Sequence, residues 1–161
     1  MTTEDRRVTV STPTDKQILI TRGFDAPRHL VYRAYTTPEL WRRWWHANRA
    51  EILAVEMDVR AGGKWRYAAR ALSNGYEFEF YGEYREVLPD ERLVSTETFS
   101  GAPHASSLDT ITFTEKDGRT YFEMLIEHTS KENRDAQLTS GMEDGLQDAL
   151  ALLEDVAREL A

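Results

Sequence analysis

The sequence predicts one α+β domain in which an antiparallel sheet of about six or seven strands packs against one long C-terminal helix. Through most of residues 50–128, apolar residues alternate with polar ones, which is the period of a strand. From Ser130 onward the period becomes that of an amphipathic helix. Two short helical segments follow the first strand, then all the remaining strands, then the long helix. Most strands are therefore consecutive along the chain. This order is typical of an α+β fold and not of alternating βα units.

The N-terminal segment is predicted to be a flexible arm. Residues 1–15 are polar, rich in threonine and interrupted by Pro13. Val8 and Val10 allow a short edge strand within it. The folded domain is therefore expected to cover residues 16–161.

The first strand and the two short helices have clear local signals. "KQILITRGF" alternates and predicts a strand. Asp25 can cap a helix that begins near Pro27, and "PRHLVYRAY" has its apolar residues at helical spacing. "TTPELWRRWW" begins a second helix with a threonine cap and a proline in the first turn.

The middle of the chain predicts sequential antiparallel strands. A hairpin is expected where "RAGG" joins the strand ending at Val59 to "KWRYAAR". In "YEFEFYGEYREV" the alternation changes phase at Tyr81 and Gly82, which predicts a β-bulge there. "PDERLVSTETFSG" predicts a further strand, and a Lys-Asp-Gly turn joins the last two strands.

Composition excludes several classes of function. The 161 residues carry a net charge of −8, which argues against nucleic acid as a partner. Because there are no cysteines, thiol chemistry and disulfides are excluded. The sequence shows no signal peptide and no membrane span, so we expect a soluble, cytoplasmic protein. No metal-binding motif, phosphate-binding loop or nucleophile elbow occurs, and no cofactor is predicted.

Four stretches together resemble a known family: "FDAPRHLVYRAYTTPELWRRWW", "MDVRAGGKWRY", "GEYREVLPDERLV" and "SGMEDGLQDALALLEDV". In order and spacing they resemble the bacterial branch of the START-like (SRPBCC) superfamily, related to the activator of the heat-shock protein 90 ATPase. The resemblance covers about residues 18–160. It implies a helix-grip fold with a cavity between a curved sheet and the C-terminal helix, in a superfamily that binds lipids, hormones and polyketides and includes some cyclases.

Three of the four tryptophans lie in a stretch of five residues, 41–45, in the predicted second helix. Trp41, Trp44 and Trp45 are three and four residues apart and form one indole face. They either pack in the core or line a cavity, and we predict ligand contact for all three. The same alternatives apply to the inward strand residues, for which we also predict ligand contact: Trp65, Tyr67, Phe78, Phe80 and, at the predicted bulge, Tyr81.

Further ligand contacts are predicted from the last strand and the long helix. Met142 and Leu146 lie on the apolar stripe of the helix, where Gly145 leaves space for the sheet or for a ligand. Met124 and His128 end an apolar row in "TYFEMLIEH", so His128 is the best candidate for an acid or base. Its alternative role is a histidine satisfied by hydrogen bonds at the sheet edge. Glu77, Glu79 and Glu83 are expected to form a solvated strand face. Their alternative role is a carboxylate in the cavity, reached after the bulge turns the chain.

Three functions are compatible with these features. The first is a protein that binds a small hydrophobic or amphipathic molecule between the sheet and the helix. The second is a cavity enzyme of the cyclase or hydrolase kind that uses a buried histidine or carboxylate. The third is a chaperone-interacting protein of the ATPase-activator kind, which would use its surface. A homodimer is compatible with the exposed sheet edges that such a fold leaves.

Overall fold

Eight strands and four α-helices account for most of the residues that the computed structural model describes, 2–46 and 48–161. Met1, the first residue of the predicted arm, and Ala47 lie outside the described residues. None of the helices in these ranges is long and apolar enough to cross a membrane. In chain order the elements are a 3₁₀ helix (Glu4–Arg6), β1 (Thr9–Ser11), β2 (Gln17–Phe24), α1 (Arg28–Thr36), α2 (Pro38–Trp41), β3 (Ala50–Met57), β4 (Lys64–Ala71), β5 (Glu77–Leu88), β6 (Arg92–Phe99), β7 (Ser107–Lys116), β8 (Arg119–Glu127), α3 (Lys131–Leu138) and α4 (Met142–Glu159).

The strands form one curved antiparallel sheet that does not close into a barrel. Their order is β1-β2-β8-β7-β6-β5-β4-β3, and each neighbouring pair is antiparallel. The predicted α+β helix-grip fold is confirmed. The sheet has eight strands instead of six or seven because β1 pairs with β2 at its edge.

Two residues of the N-terminal arm contact the helix that covers the sheet. Val8 is buried, and its backbone N–H donates to Gln147 Oε1 in α4 at 2.9 Å. Arg6 binds the carboxylate of Glu154, also in α4. These partners lie about 140 residues later in the chain, and the flexibility of the arm stays a prediction.

The bulge predicted at Tyr81 and Gly82 is wrong. β5 pairs with β6 without interruption there, and the register shifts between Tyr84 and Glu86 instead. Gly82 has a different role, because a Cβ at this position would collide with the carbonyl oxygen of Thr96. Since the alternation continues unbroken, Tyr81 lies on the outer face of the sheet and is 41% exposed.

The predicted single C-terminal helix is two helices, α3 and α4. Ser130 caps α3 by accepting a hydrogen bond from Asn133 N at 3.1 Å. At the other end, the Ser140 hydroxyl donates to the Gln137 carbonyl at 2.6 Å, and Gly141 takes a left-handed φ of 85°. The apolar row conceals this break in the sequence, because Leu138 at the end of α3 and Met142 and Leu146 in α4 continue it at helical spacing.

The core is densest beneath the C-terminal half of α4. Leu150 and Leu153 are completely buried, and α1 lies between α4 and the strands β7 and β8. Phe24, Phe113 and Phe122 fill the same layer with edge-to-face contacts at 5.7 Å between ring centroids. The packing under the N-terminal half of α4 is different.

Candidate functional site

A cavity of about 730 Å³ lies between the inner face of the sheet and the N-terminal half of α4. From the helix, Met142, Gly145, Leu146 and Ala149 line it. Strands β3 to β8, α3 and the α1–α2 region provide the other sides. One half of α4 therefore covers packed core and the other half covers open space.

The structure places most of the predicted ligand-binding residues around this cavity. They come from five separate segments of the chain that the fold brings together. Their contact with a ligand stays a prediction. The predicted residues that line the cavity are Trp41, Trp45, Trp65, Tyr67, Phe80, Met124, His128, Met142, Gly145 and Leu146.

Three predicted residues, Trp44, Phe78 and Tyr81, do not line the cavity. Trp44 is fully buried in the core, where its Nε1–H donates to the Ala34 carbonyl at 3.0 Å. Phe78 shares the inner face with Phe80 but lies nearer the end of β5 and packs against the ring of His46. Tyr81 points outward, because the bulge that would have turned it is absent.

Stacked aromatic rings form the apolar part of the cavity surface. Trp41 and Trp45, one helical turn apart, stack at 5.5 Å with an interplanar angle of 25°. Tyr67 lies 4.9 Å from Trp41 and stacks on Phe80 at 5.3 Å, since the two strand residues are direct cross-strand partners. The clustered tryptophans thus divide their roles, with Trp44 in the core and the other two at the cavity.

Two carboxyl groups, Glu97 and Asp109, line the cavity among these apolar side chains. Asp109 is 5% exposed and accepts a hydrogen bond from the Ser107 hydroxyl at 3.0 Å. In the β6–β7 register Glu97 pairs with Ser107 and Ser95 with Asp109, so the two acids are diagonal neighbours. Burial, together with the charge and hydrogen bond of Glu97, raises the pKa of Asp109 well above its ordinary value. The surroundings of Asp109 therefore favour its protonated, neutral form.

His128 lies at the end of the β8 row, as predicted, and lines the cavity beside Met124 and Ile126. Its Nε2 is 2.6 Å from the amide oxygen Oε1 of Gln137 in α3. Because an amide oxygen only accepts, the Nε2–H of His128 donates this hydrogen bond. Nδ1 is buried, and none of the described residues forms a hydrogen bond with it. A role of His128 as acid or base stays a prediction.

A second histidine, His46, also lines the cavity and is held neutral by its surroundings. Its Nε2 is 2.9 Å from the hydroxyl of Tyr67. Burial, and to a smaller extent the charge of Arg49, lowers the pKa of His46 to about 4. Burial also raises the pKa of Tyr67 well above 10.0, and Glu97 adds to this increase. At neutral pH this pair is uncharged.

The cavity reaches the surface near the turn between α3 and α4. Ser140 and Gly141 line the cavity and are also exposed, as is Arg49 on the opposite side. Arg49 binds Asp148 of α4, with 2.6 Å between Nη2 and Oδ2. This ion pair joins the segment after α2 to α4 across the opening.

Sequence reasoning missed both cavity carboxylates, although a signal was present. Leu93, Ser95, Glu97 and Phe99 follow each other at every second position of β6, and all line the cavity. The same alternation in β7 places Ser107 and Asp109 beside Ile111. A carboxylate inside an apolar row was the feature to notice.

The acids of β5 behave as expected for a solvated strand face. Glu79 binds Arg66 of β4 and does not line the cavity. Nowhere in residues 2–46 and 48–161 do three His, Cys, Asp or Glu side chains gather in a way that could hold a metal ion.

Comparisons with known proteins agree with this architecture. The model of the family described as "Activator of Hsp90 ATPase homolog 1-like protein" matches residues 25–158. A search of curated proteins found no match.

Solved structures from several bacteria share the fold. A protein from Rhodobacter sphaeroides has a TM-score of 0.87 at 20% identity, and the match covers 95% of this chain and 99% of that one. Ms6760 from Mycobacterium smegmatis has a TM-score of 0.81 at 24% identity, covering 92% and 96% of the two chains. CV1439 from Chromobacterium violaceum has a TM-score of 0.73 at 26% identity, covering 86% and 98%.

Proposed function

The chain belongs to the family of Activator of Hsp90 ATPase homolog 1-like proteins, and we propose that it binds a small hydrophobic or amphipathic molecule between the sheet and α4. The observation that carries this proposal is the cavity of about 730 Å³ and its aromatic lining. Pockets for small ligands commonly measure roughly 300–1,000 Å³ and combine apolar area with a few polar groups. This cavity has both.

The helix that covers the cavity, α4, has a glycine where it faces the cavity. A Cβ added at Gly145 would meet no atom within 4 Å, so the helix surface at this position faces free space. The neighbouring Met142 is a flexible side chain that can adapt to ligands of different shape. At the opening, the ion pair of Arg49 and Asp148 holds the two sides together.

Native mass spectrometry of the protein purified from cells tests the proposal. We expect a reproducible extra mass that solvent extraction releases as a small organic molecule. The matched control is Gly145→Leu, whose Cβ meets no atom within 4 Å and whose side chain would reduce the cavity, so this variant should fold and carry no passenger. If wild-type protein carries no passenger and binds neither the neutral dye Nile red nor any lipid of a test panel, the proposal is wrong.

The carboxyl pair favours a second function, that of a cavity enzyme. A carboxyl group with a raised pKa can donate a proton near neutral pH, as Asp109 could to a bound substrate. Comparing the extracted passenger of wild-type protein with that of Asp109→Asn tests this function. A different passenger mass in the variant would indicate that a substrate accumulates unreacted, whereas identical masses would contradict catalysis by this group.

A further inference from the structure

We infer that the cavity selects ligands that carry a protonated amine, and that the carboxyl groups of Glu97 and Asp109 bind this amine. The inference rests on the proposed function and adds the chemical class of the ligand. It follows from the charge of the cavity, from the contrast with another buried acid of this protein and from a polar atom without a partner.

The first argument is the missing counter-charge. Among the residues that the structure describes, no lysine or arginine forms an ion pair with Glu97 or Asp109. The one arginine that lines the cavity, Arg49, is exposed at the opening and already bound to Asp148. Two carboxyl groups in an apolar cavity are costly unless they are paired or share a proton.

The buried carboxylate of Glu154 provides the contrast. It is 3% exposed, comparable to Asp109 at 5%, yet it is bound by both Arg6 and Arg22. Where this fold uses a buried acid for structure, it therefore supplies cations. The acids of the cavity have no lysine or arginine partner among the described residues. The one basic group near Asp109 in these residues is the imidazole of His128, and both acids face a space that a ligand can enter.

The groups around the pair are suited to a cation. Tyr35 of α1, Tyr67 of β4 and His128, which follows β8, lie close to one or both acids. Burial keeps the phenols neutral, and the buried Nδ1 of His128 has no hydrogen-bond partner among the described residues. The phenol oxygens can accept hydrogen bonds from the N–H groups of an ammonium, while the stacked rings supply apolar contact for the rest of the ligand.

Occupation by an amine would also change the protonation of the pair. Without ligand, burial and the neighbouring Glu97 favour the protonated form of Asp109. An ammonium beside Asp109 would stabilise its ionised form, so the proton of Asp109 would be released to the solvent on binding. A carboxylate ligand would be repelled, which gives the cavity a selectivity based on charge.

The test uses two probes of almost equal shape, 2-(2-naphthyl)ethylamine and 2-(2-naphthyl)ethanol. Isothermal titration calorimetry at neutral pH should show the amine binding to wild-type protein roughly tenfold more tightly or better, the gain expected for a charge-assisted contact. If the alcohol or Nile red binds while the amine binds equally, more weakly or not at all, the inference is wrong and the proposed function stands. If none of the three binds, and the purified protein carries no passenger and binds no lipid of the panel, the proposed function itself fails.

Isosteric variants locate the effect. Glu97→Gln and Asp109→Asn should each lose most of the preference for the amine and keep the affinity for the alcohol. Glu79→Gln, which removes an acid from the outer face of the sheet, should keep the preference. Titrations in buffers of different ionisation enthalpy should show proton release with the amine in wild-type protein and none with Asp109→Asn. A preference that survives in both cavity variants would overturn the assignment.

Discussion

Arg6 near the N-terminus binds the carboxylate of Glu154, a residue of α4 that is 148 positions later in the chain. Glu154 also binds Arg22 Nη1 at 3.2 Å, and both of these side chains are almost completely buried. The guanidinium carbon of Arg22 lies 4.7 Å above the centre of the Phe24 ring. One carboxylate thus connects the arm, strand β2 and the helix that covers the cavity.

Replacing Glu154 by glutamine should destabilise the protein strongly. The substitution keeps the shape but leaves the buried Arg22 without a counter-charge, which costs about 3 kcal/mol or more. Arg6→Ala should cost only about 1 kcal/mol, because the Arg6 side chain is 41% exposed. Urea unfolding measures both losses of stability. The control is Arg60→Ala, which removes an exposed ion pair with Asp58 and should change the unfolding free energy little. Equal losses for Glu154→Gln and Arg60→Ala would contradict this account.

The same network predicts sensitivity to acid. Burial raises the pKa of Glu154, but the hydrogen bond from Arg6 and the charge of Arg22 outweigh it, so the pKa lies below 4.5 in the folded protein. A carboxyl group with a lowered folded pKa stabilises the protein above its unfolded pKa, and this stabilisation disappears as the pH falls through the folded value. Unfolding free energies measured between about pH 6 and pH 3 should fall steeply for wild-type protein and less steeply for Glu154→Gln.

The raised pKa of Asp109 predicts a dependence of stability on pH that is opposite in sign to that of Glu154. The pKa of Asp109 is raised in the folded state by burial and by Glu97, so its contribution to stability is complete below the unfolded pKa and is lost as the pH rises through the folded value. Asp109→Asn should therefore be more stable than wild-type protein at neutral and alkaline pH, by an amount that shrinks on acidification. Thermal unfolding across this range is the measurement. Asp117→Asn, in the exposed turn between β7 and β8, is the control and should follow wild-type protein.

Two substitutions of Gly145 should have different effects on stability and on ligand binding. Since a Cβ meets nothing within 4 Å, Gly145→Ala should stabilise α4 by about 0.5–1 kcal/mol, the helix-propensity gain of alanine over glycine. Nile red binding should persist in this variant and be lost in Gly145→Leu. Loss of stability in Gly145→Ala would show that the space around residue 145 is smaller than described. Gly82→Ala serves as the opposite case and should destabilise, because its Cβ meets the Thr96 carbonyl.

Trp44 and Trp45 are neighbours in sequence with different expected effects. Trp44 is fully buried and donates a hydrogen bond to Ala34, so Trp44→Ala should cost about 3–5 kcal/mol. Trp45 lines the cavity, and Trp45→Ala should reduce Nile red affinity more than it reduces stability. Fluorescence titration and urea unfolding of the two variants measure both quantities. The same ratio of effects in both variants would contradict the division of roles.

Local patterns in the sequence determined the elements and the direction of most side chains. The alternation of Trp65 and Tyr67, and of Met124 and His128, is set by the pleat of a strand, so these residues could be placed on the inner face without a structure. The helical spacing of Met142 and Leu146 placed them in the same way. Together with the family resemblance, these patterns were sufficient for the helix-grip fold.

Tertiary contacts decided the remaining features, because they depend on residues far apart in the chain. The arm contacts Glu154 and Gln147 in α4, and the role of Gly82 depends on the approach of Thr96 in the next strand. Whether an inward side chain meets core or open space depends on how far α4 lies from the sheet. Trp44 and Trp45 are adjacent in sequence, yet the first lies in the core and the second lines the cavity. The carboxyl pair exists only because the β6–β7 register makes Glu97 and Asp109 diagonal neighbours, and a linear pattern contains no register.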